Sequence, residues 1–331
     1  MAVSVSLLPL TVQEHRPHSL HSPDAVWGQT NCSFDVWVEI LHALGLEPLV
    51  AAAFAVAADF EGDQWTFYKY PPEDLLEAYG VDVHEMNPWR GVLDHVVGQL
   101  RRGRLMTVEA DSFFLPDTYG VSYRRRHDKS TIVVNTIDVE ARTLGYFHNS
   151  GYHELAGEDF DGVLRLGEHA NPDELAPYTE IVRLEGLHRD PPEQQVAVGL
   201  GLLRKHLARR PEDNPVRRMA DQVEQDTPWL QSTDPQRFHD YAFATVRQCG
   251  ASAETSAAFC RWLAMLVPEH RGALLTAATA WRDVAGTAKT AQLKLARLAR
   301  GRAGNLEETW EQMAARWSAA QAALDPLLAP R

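Results

Sequence analysis

Cys32 stands in "WGQTNCSFDVW" (27–37), directly ahead of Phe34, Trp37, Val38, Leu41 and Leu44, an apolar series at helical spacing that Gly45 would end. With Asn31 or Cys32 as N-cap, the thiol would feel the unpaired amides and positive end of a helix, which favour the thiolate. The amides that follow could steady an oxyanion. A cysteine nucleophile also needs a base, and a group that orients the base. Histidine suits the base because its pKa lies near working pH, and the chain has 14 of them. His15, His18 and His21 recur every three residues, as metal ligands can, but Pro17 and Pro23 break up the stretch and a flexible leader is expected. His42 is ten residues beyond Cys32 on the same helix, out of reach of the thiol. His127 precedes "STIVVNTID" (130–138), and Asn149 ends "TLGYFHN" (143–149), where its side chain could accept the His127 ring N–H. His148 and His153 are alternative bases at the same strand end.

The elements that must position these residues change character near residue 190. Before it, "RLMTVEAD" (104–111), "STIVVNTID" and "TLGYFHN" are β-branched or aromatic runs of strand length. The last two, separated by "DVEAR", predict an antiparallel hairpin. After "HRDPPEQQ" (188–195) the text becomes Ala/Leu/Arg-rich at helical spacing, with Leu200, Leu203 and Leu207, then Trp262 and Leu266, then Trp310, Met313 and Trp317. The expectation is an α+β domain over 1–187 and a helical domain over 188–331.

Composition excludes several classes. The 331 residues carry a net charge of −13, which argues against an extended nucleic-acid face. "YRRRHDK" (123–129), the one short basic run, is expected to be a solvated loop. "VAAAFAVAA" (50–58) falls far short of the ~20 residues of a membrane span. The first residues lack the basic start and apolar core of a signal peptide. Three cysteines without a CxxC fit a reducing cytoplasm. Neither GxGxxG nor GxxxxGK[ST] is present, and no metal or cofactor is expected. The aromatic stretch "DFEGDQWTFYKYPPEDL" (59–75) is expected to be core rather than a recognition surface.

The order of a helix-start cysteine, then a distant hairpin with His and Asn, is similar to papain-like cysteine enzymes. "GRLMTVEADSFFLPDTYG", "HDKSTIVVNTID" and "LGYFHNSGYHELAGEDF" resemble, more closely, double-glycine leader peptidases and butirosin-biosynthesis-H-type acyltransferases. The whole chain resembles a bacterial domain-of-unknown-function family, number 1839. The acyltransferase resemblance covers about the first half. It implies a papain-like fold with Cys32 as nucleophile, His127 as base and Asn149 as orienting residue. Asp111 matches the acidic residue before the aromatic pair and, with Glu109 and Gln29, forms the expected substrate-binding set. Symmetric pairing about "DVEAR" sets Asn149 opposite Ser130 or Thr131, about 10 Å short of His127 along the strand. A bulge or longer turn would have to close that gap.

The reaction expected from the resemblance is acyl transfer. An acyl group passes from a carrier-protein thioester to Cys32, then to an amine or hydroxyl of a small-molecule acceptor. With water as acceptor the same site is a cysteine peptidase or amidase; without chemistry the protein is a binding protein of the same fold. An acyl or peptidyl carrier protein is typically acidic and would need a cationic patch, for which "LRKHLARRPEDNPVRR" (203–218) and "KLARLARGR" (294–302) are the candidates. No nucleic-acid or membrane partner is expected.

Overall fold

The structure, a computed structural model, describes residues 4–171, 173–302 and 304–328. The chain divides into two compact units. The first comprises residues 1–22, 31–48 and 71–189; the second takes 23–30, 49–70 and 190–331. The helical unit thus includes two stretches, 23–30 and 49–70, that fall between segments of the first unit in sequence.

The first unit is built on an antiparallel sheet. Its strands are β1 (Ser4–Ser6), β2 (Asp82–Glu85), β3 (Leu105–Asp111), β4 (Lys129–Asp138), β5 (Thr143–His148), β6 (Gly151–Ala156) and β7 (Thr179–Arg183). Their order is β2-β7-β3-β4-β5-β6, with β1 paired to the far end of β4. The expected hairpin is β4–β5, with Ile132 opposite His148 and Val134 opposite Tyr146. A bulge does interrupt the pairing, between Val134 and Thr136, where the extra residue is Asn135.

Strand alternation sorts the side chains onto two faces. One face carries Met106, Val108, Ala110, Ile132, Val134, Leu144, Tyr146 and Leu155, buried in one cluster with helices α3 (Val92–Leu100) and α4 (Glu158–Leu164). Helix α1 (Cys32–Ala43) packs on β4 and β5 from the other side. There His15, held by Glu39 of α1, meets the rings of Phe147 and Tyr152. Helix α2 (Pro72–Tyr79) packs beside β2 and stops at Gly80, whose positive φ of 67° and close approach to the Gly186 carbonyl leave no room for a Cβ.

Residues 15–21, expected as a flexible leader, dock on α1 instead. His15 and His21 face Glu39, and His21 also faces Asp35. The reason is a helix face that places two carboxylates four residues apart inside the core, where each needs a cationic or donor partner.

The helical unit consists of α5 (Pro192–Leu207), α6 (Pro215–Ser232), α7 (Pro235–Ala242), a π-helical turn at Phe243–Arg247, α8 (Gln248–Leu266), α9 (Arg271–Leu298) and α10 (Glu307–Leu324). Helix α9 packs between α8 and α10, while α6 packs on α10. Trp281 and Trp317 meet edge to face with ring centroids 4.5 Å apart, and Trp65 from the 49–70 stretch adds to them at 5.3 Å from Trp317. Trp65, Tyr68 and Tyr70 are buried, so the 59–75 aromatics are largely core.

Candidate functional site

Cys32 is the first residue of α1, after Asn31, whose side chain caps the helix by accepting from the Phe34 amide at 2.9 Å. Of the three cysteines it is the half-exposed one. Cys249 and Cys260 are buried, and burial pushes both thiols up, Cys260 to about 12. Among the described residues, no histidine is hydrogen-bonded to the Cys32 sulfur.

His127 and Asn149 are not brought together. The bulge in β4 falls at the distant end of the hairpin and leaves Asn149 beyond the Ile132–His148 pair, still several residues from His127. His127 is 68% exposed, stacks on Phe113, and bonds Asp111 at 2.5 Å. Asp111 also accepts from the Phe113 amide, capping a short 3-10 turn. Glu109 pairs with Lys129. Gln29 belongs to the helical unit, where its carbonyl accepts from Arg247. Asn149 adopts a left-handed backbone (φ 48°) in the tight turn between β5 and β6, a conformation asparagine tolerates. Its side-chain amide lies 3.5 Å from Nδ1 of His148.

His148, at the end of β5, has a partner on each ring nitrogen, one of them a hydroxyl. Its Nε2 is 2.6 Å from the Ser130 hydroxyl and its Nδ1 is 2.5 Å from Oδ2 of Asp117. Strand register explains the first contact: Ser130 and His148 share the face that carries Ile132 and Tyr146. The second comes from the turn Pro116–Thr118, held by the Thr118 hydroxyl bonding the carbonyls of Ser112 and Leu115, which presents Asp117 over the same face. The Tyr146 hydroxyl donates to the other Asp117 oxygen at 2.5 Å.

This chain is buried at one end and open at the other. His148 is 1% exposed and the Asp117 side chain 9%, while Ser130 is half-exposed. Burial pushes the Asp117 carboxyl up, but the hydrogen bond and charge of His148, with His153 and Tyr146, outweigh it and hold the group below its ordinary range. Burial and the neighbouring Asp117 push the Tyr146 phenol far up, so it stays a donor. His153, 3.9 Å from Asp117, is pushed down by burial despite that carboxylate. Since α1 covers the opposite face, the sheet stands between this chain and the helix that begins at Cys32.

Ser130 and Asp117 escaped the sequence reading. Period-2 counting carried the signal for the serine: two residues before Ile132 is the face of Tyr146 and His148, whereas His127 is three residues further out. Asp117, in "LPDT", has no comparable local signature.

A second carboxylate–histidine group lies under α1. Burial pushes His21 down, yet Asp35 and Glu39 raise it to about 9. Glu39, pushed up by burial, is brought to about 2 by His15 and His21. Among the described residues no group of three or more His, Cys, Asp and Glu side chains is arranged to hold a metal ion. No helix among them is long and apolar enough to cross a membrane. In the first basic stretch, Arg210 bonds Asp325, Arg217 bonds Glu311 and Arg218 bonds Asp59.

Comparison with curated proteins gives no match. Residues 16–184 match the model described as the DUF1839 N-terminal domain, and residues 192–326 the one described as the DUF1839 C-terminal domain. With both parts matched in order, the chain belongs to the DUF1839 family.

Proposed function

We propose that this protein transfers acyl groups from a thioester donor, with Ser130 as nucleophile, His148 as general base and Asp117 as the carboxylate that orients it. The observation that carries the reading is the unbroken hydrogen-bonded line from the Ser130 hydroxyl through both nitrogens of His148 to Asp117. A proton on Nδ1, held by Asp117, leaves Nε2 as the acceptor for the serine proton. Ser130 Oγ then bonds the carbonyl carbon, its proton passes to Nε2, and the C–S bond breaks. The departing thiolate takes the proton back from His148, leaving an acyl-serine. An amine or hydroxyl of a small acceptor, giving its proton to His148, then bonds the acyl carbon. The ester bond to Ser130 Oγ breaks, and the oxygen takes that proton back from His148, restoring both groups; water in place of the acceptor makes a hydrolase. The likeness of the first half to papain-like, butirosin-type acyltransferases supports the reaction class and a carrier-protein donor, and in this reading the nucleophile has moved off α1.

Cys32 is the second reading. It is favoured by a half-exposed thiol at a capped helix start, where amide groups face outward. A fluorophosphonate probe separates the two. Labelling of Ser130 that disappears in His148→Ala supports the serine site. Absence of labelling, with an acyl thioester adduct that Cys32→Ala removes, transfers the role to the cysteine. If neither residue reacts, the protein binds without catalysis.

A further inference from the structure

The outward face of α3 forms a pocket of about 640 Å³ lined by Arg90, Arg101 and Arg102, with Leu93, Val97 and Val139 supplying apolar surface and Asp94 the one carboxylate. The residues recur at 90, 93/94, 97/98 and 101/102, one face of the helix and the residues flanking it. Arg90 and Arg102 converge over Gly98: a Cβ there would lie 3.3 Å from Arg90 Nη2 and 3.2 Å from Arg102 Nη1. Their hydrogen bonds run to main-chain carbonyls, of Asp94 and Gly98 respectively. No ion pair to a carboxylate neutralises any of the three guanidiniums among the described residues. Three such arginines around one apolar floor are notable in a chain of net charge −13. Arg90 also lies 5.2 Å over the ring of Trp89, which is 79% exposed.

We infer that this pocket binds the phosphate ester or pyrophosphate of a ligand that also carries an apolar portion. The forked guanidinium matches phosphate oxygens two at a time, and Leu93, Val97 and Val139 suit a hydrocarbon or heterocyclic part beside the charge. The inference rests on the acyl-transfer reading for its role alone: thioester donors built on coenzyme A or a pantetheine phosphate arm carry this chemistry.

Calorimetric titration of the full chain at low ionic strength with pyrophosphate, ADP and coenzyme A tests it without turnover. The expected result is binding with Kd below about 1 mM, tighter for ADP and coenzyme A than for pyrophosphate because the apolar floor contributes; equal affinity for all three would overturn the apolar part of the inference. Trp89 emission should change with binding, and Trp89→Phe should remove that signal. Arg101→Gln, which removes no hydrogen bond within the described residues, should weaken binding about fivefold, and Arg101→Gln with Arg90→Gln about twentyfold or more. Arg101→Lys should recover part of the loss. Absence of binding by all three probes, or affinity unchanged in the double variant, overturns the inference. Binding without acylation would sink the Ser130 chemistry and leave this site standing; acylation of a small thioester without binding would do the reverse.

Discussion

Replacing Asp117 by Asn separates the two tasks of its carboxylate. In the wild type one oxygen accepts from the Tyr146 hydroxyl and the other from Nδ1 of His148, both at 2.5 Å. An amide of the same size keeps one acceptor, which Tyr146 takes. Its NH2 then donates to Nδ1, so the ring proton moves to Nε2 and Ser130 faces a donor instead of an acceptor. A ring in that tautomer cannot take the serine proton. In Ser-His-Asp enzymes this change lowers the rate about 10⁴-fold, and single-turnover acylation should fall by a similar order. Stability changes less. Exchanging a charge-assisted bond for neutral ones costs about 1–3 kcal/mol. Asp117→Ala, which strands the buried Tyr146 and His148 groups, should cost about 3–5 kcal/mol. The pH dependence follows from the depressed carboxyl of Asp117. A carboxyl whose folded pKa lies below its unfolded value contributes stability above the unfolded value and loses it as pH falls through the folded one. The stability gap between wild type and Asp117→Asn in urea unfolding should therefore narrow below about pH 4. Acylation by the Asn variant within tenfold of wild type, with the fold intact, refutes the assigned roles.

Iodoacetamide near neutral pH should modify the folded chain once, at Cys32, and reach Cys249 and Cys260 only after unfolding, because both are fully buried; native modification of either would contradict the packing of α8. His21→Gln should destabilise the protein most below pH 6.5, since a histidine raised to about 9 stabilises fully below its unfolded pKa and loses that contribution as pH rises through 9. A difference between wild type and variant that grows toward pH 9 would contradict this. Asn31→Ala removes the cap on α1 and should lower unfolding stability by about 1 kcal/mol, read from the urea midpoint; an unchanged midpoint would mean that the cap seen at 2.9 Å adds nothing.

Helix α1 was legible because its apolar series, its Asn cap and its Gly stop agree with one another, and the structure starts it at Cys32, directly after the cap. The hairpin β4–β5 was legible from two β-branched runs around a polar turn. Strands β2 and β7 were not, since four or five residues with charged side chains on the solvent side make no pattern on their own. The docked histidines of residues 15–21 were hidden for a different reason. Their partners Asp35 and Glu39 lie on α1, and a buried acid on a helix is indistinguishable in sequence from an exposed one. Among the site residues, His148 stood with the candidates, but its partners did not. Ser130 required face counting across the hairpin, and Asp117 depends on a turn more than thirty residues away from His148 in sequence, which only the fold closes.

Peptide-resolved mass spectrometry after incubation of the folded protein with an acyl thioester tests the central claim directly. One acyl group is expected, on the peptide containing Ser130, absent from Ser130→Ala and strongly reduced in His148→Ala. An acyl group found on Cys32 and retained in Ser130→Ala would contradict it.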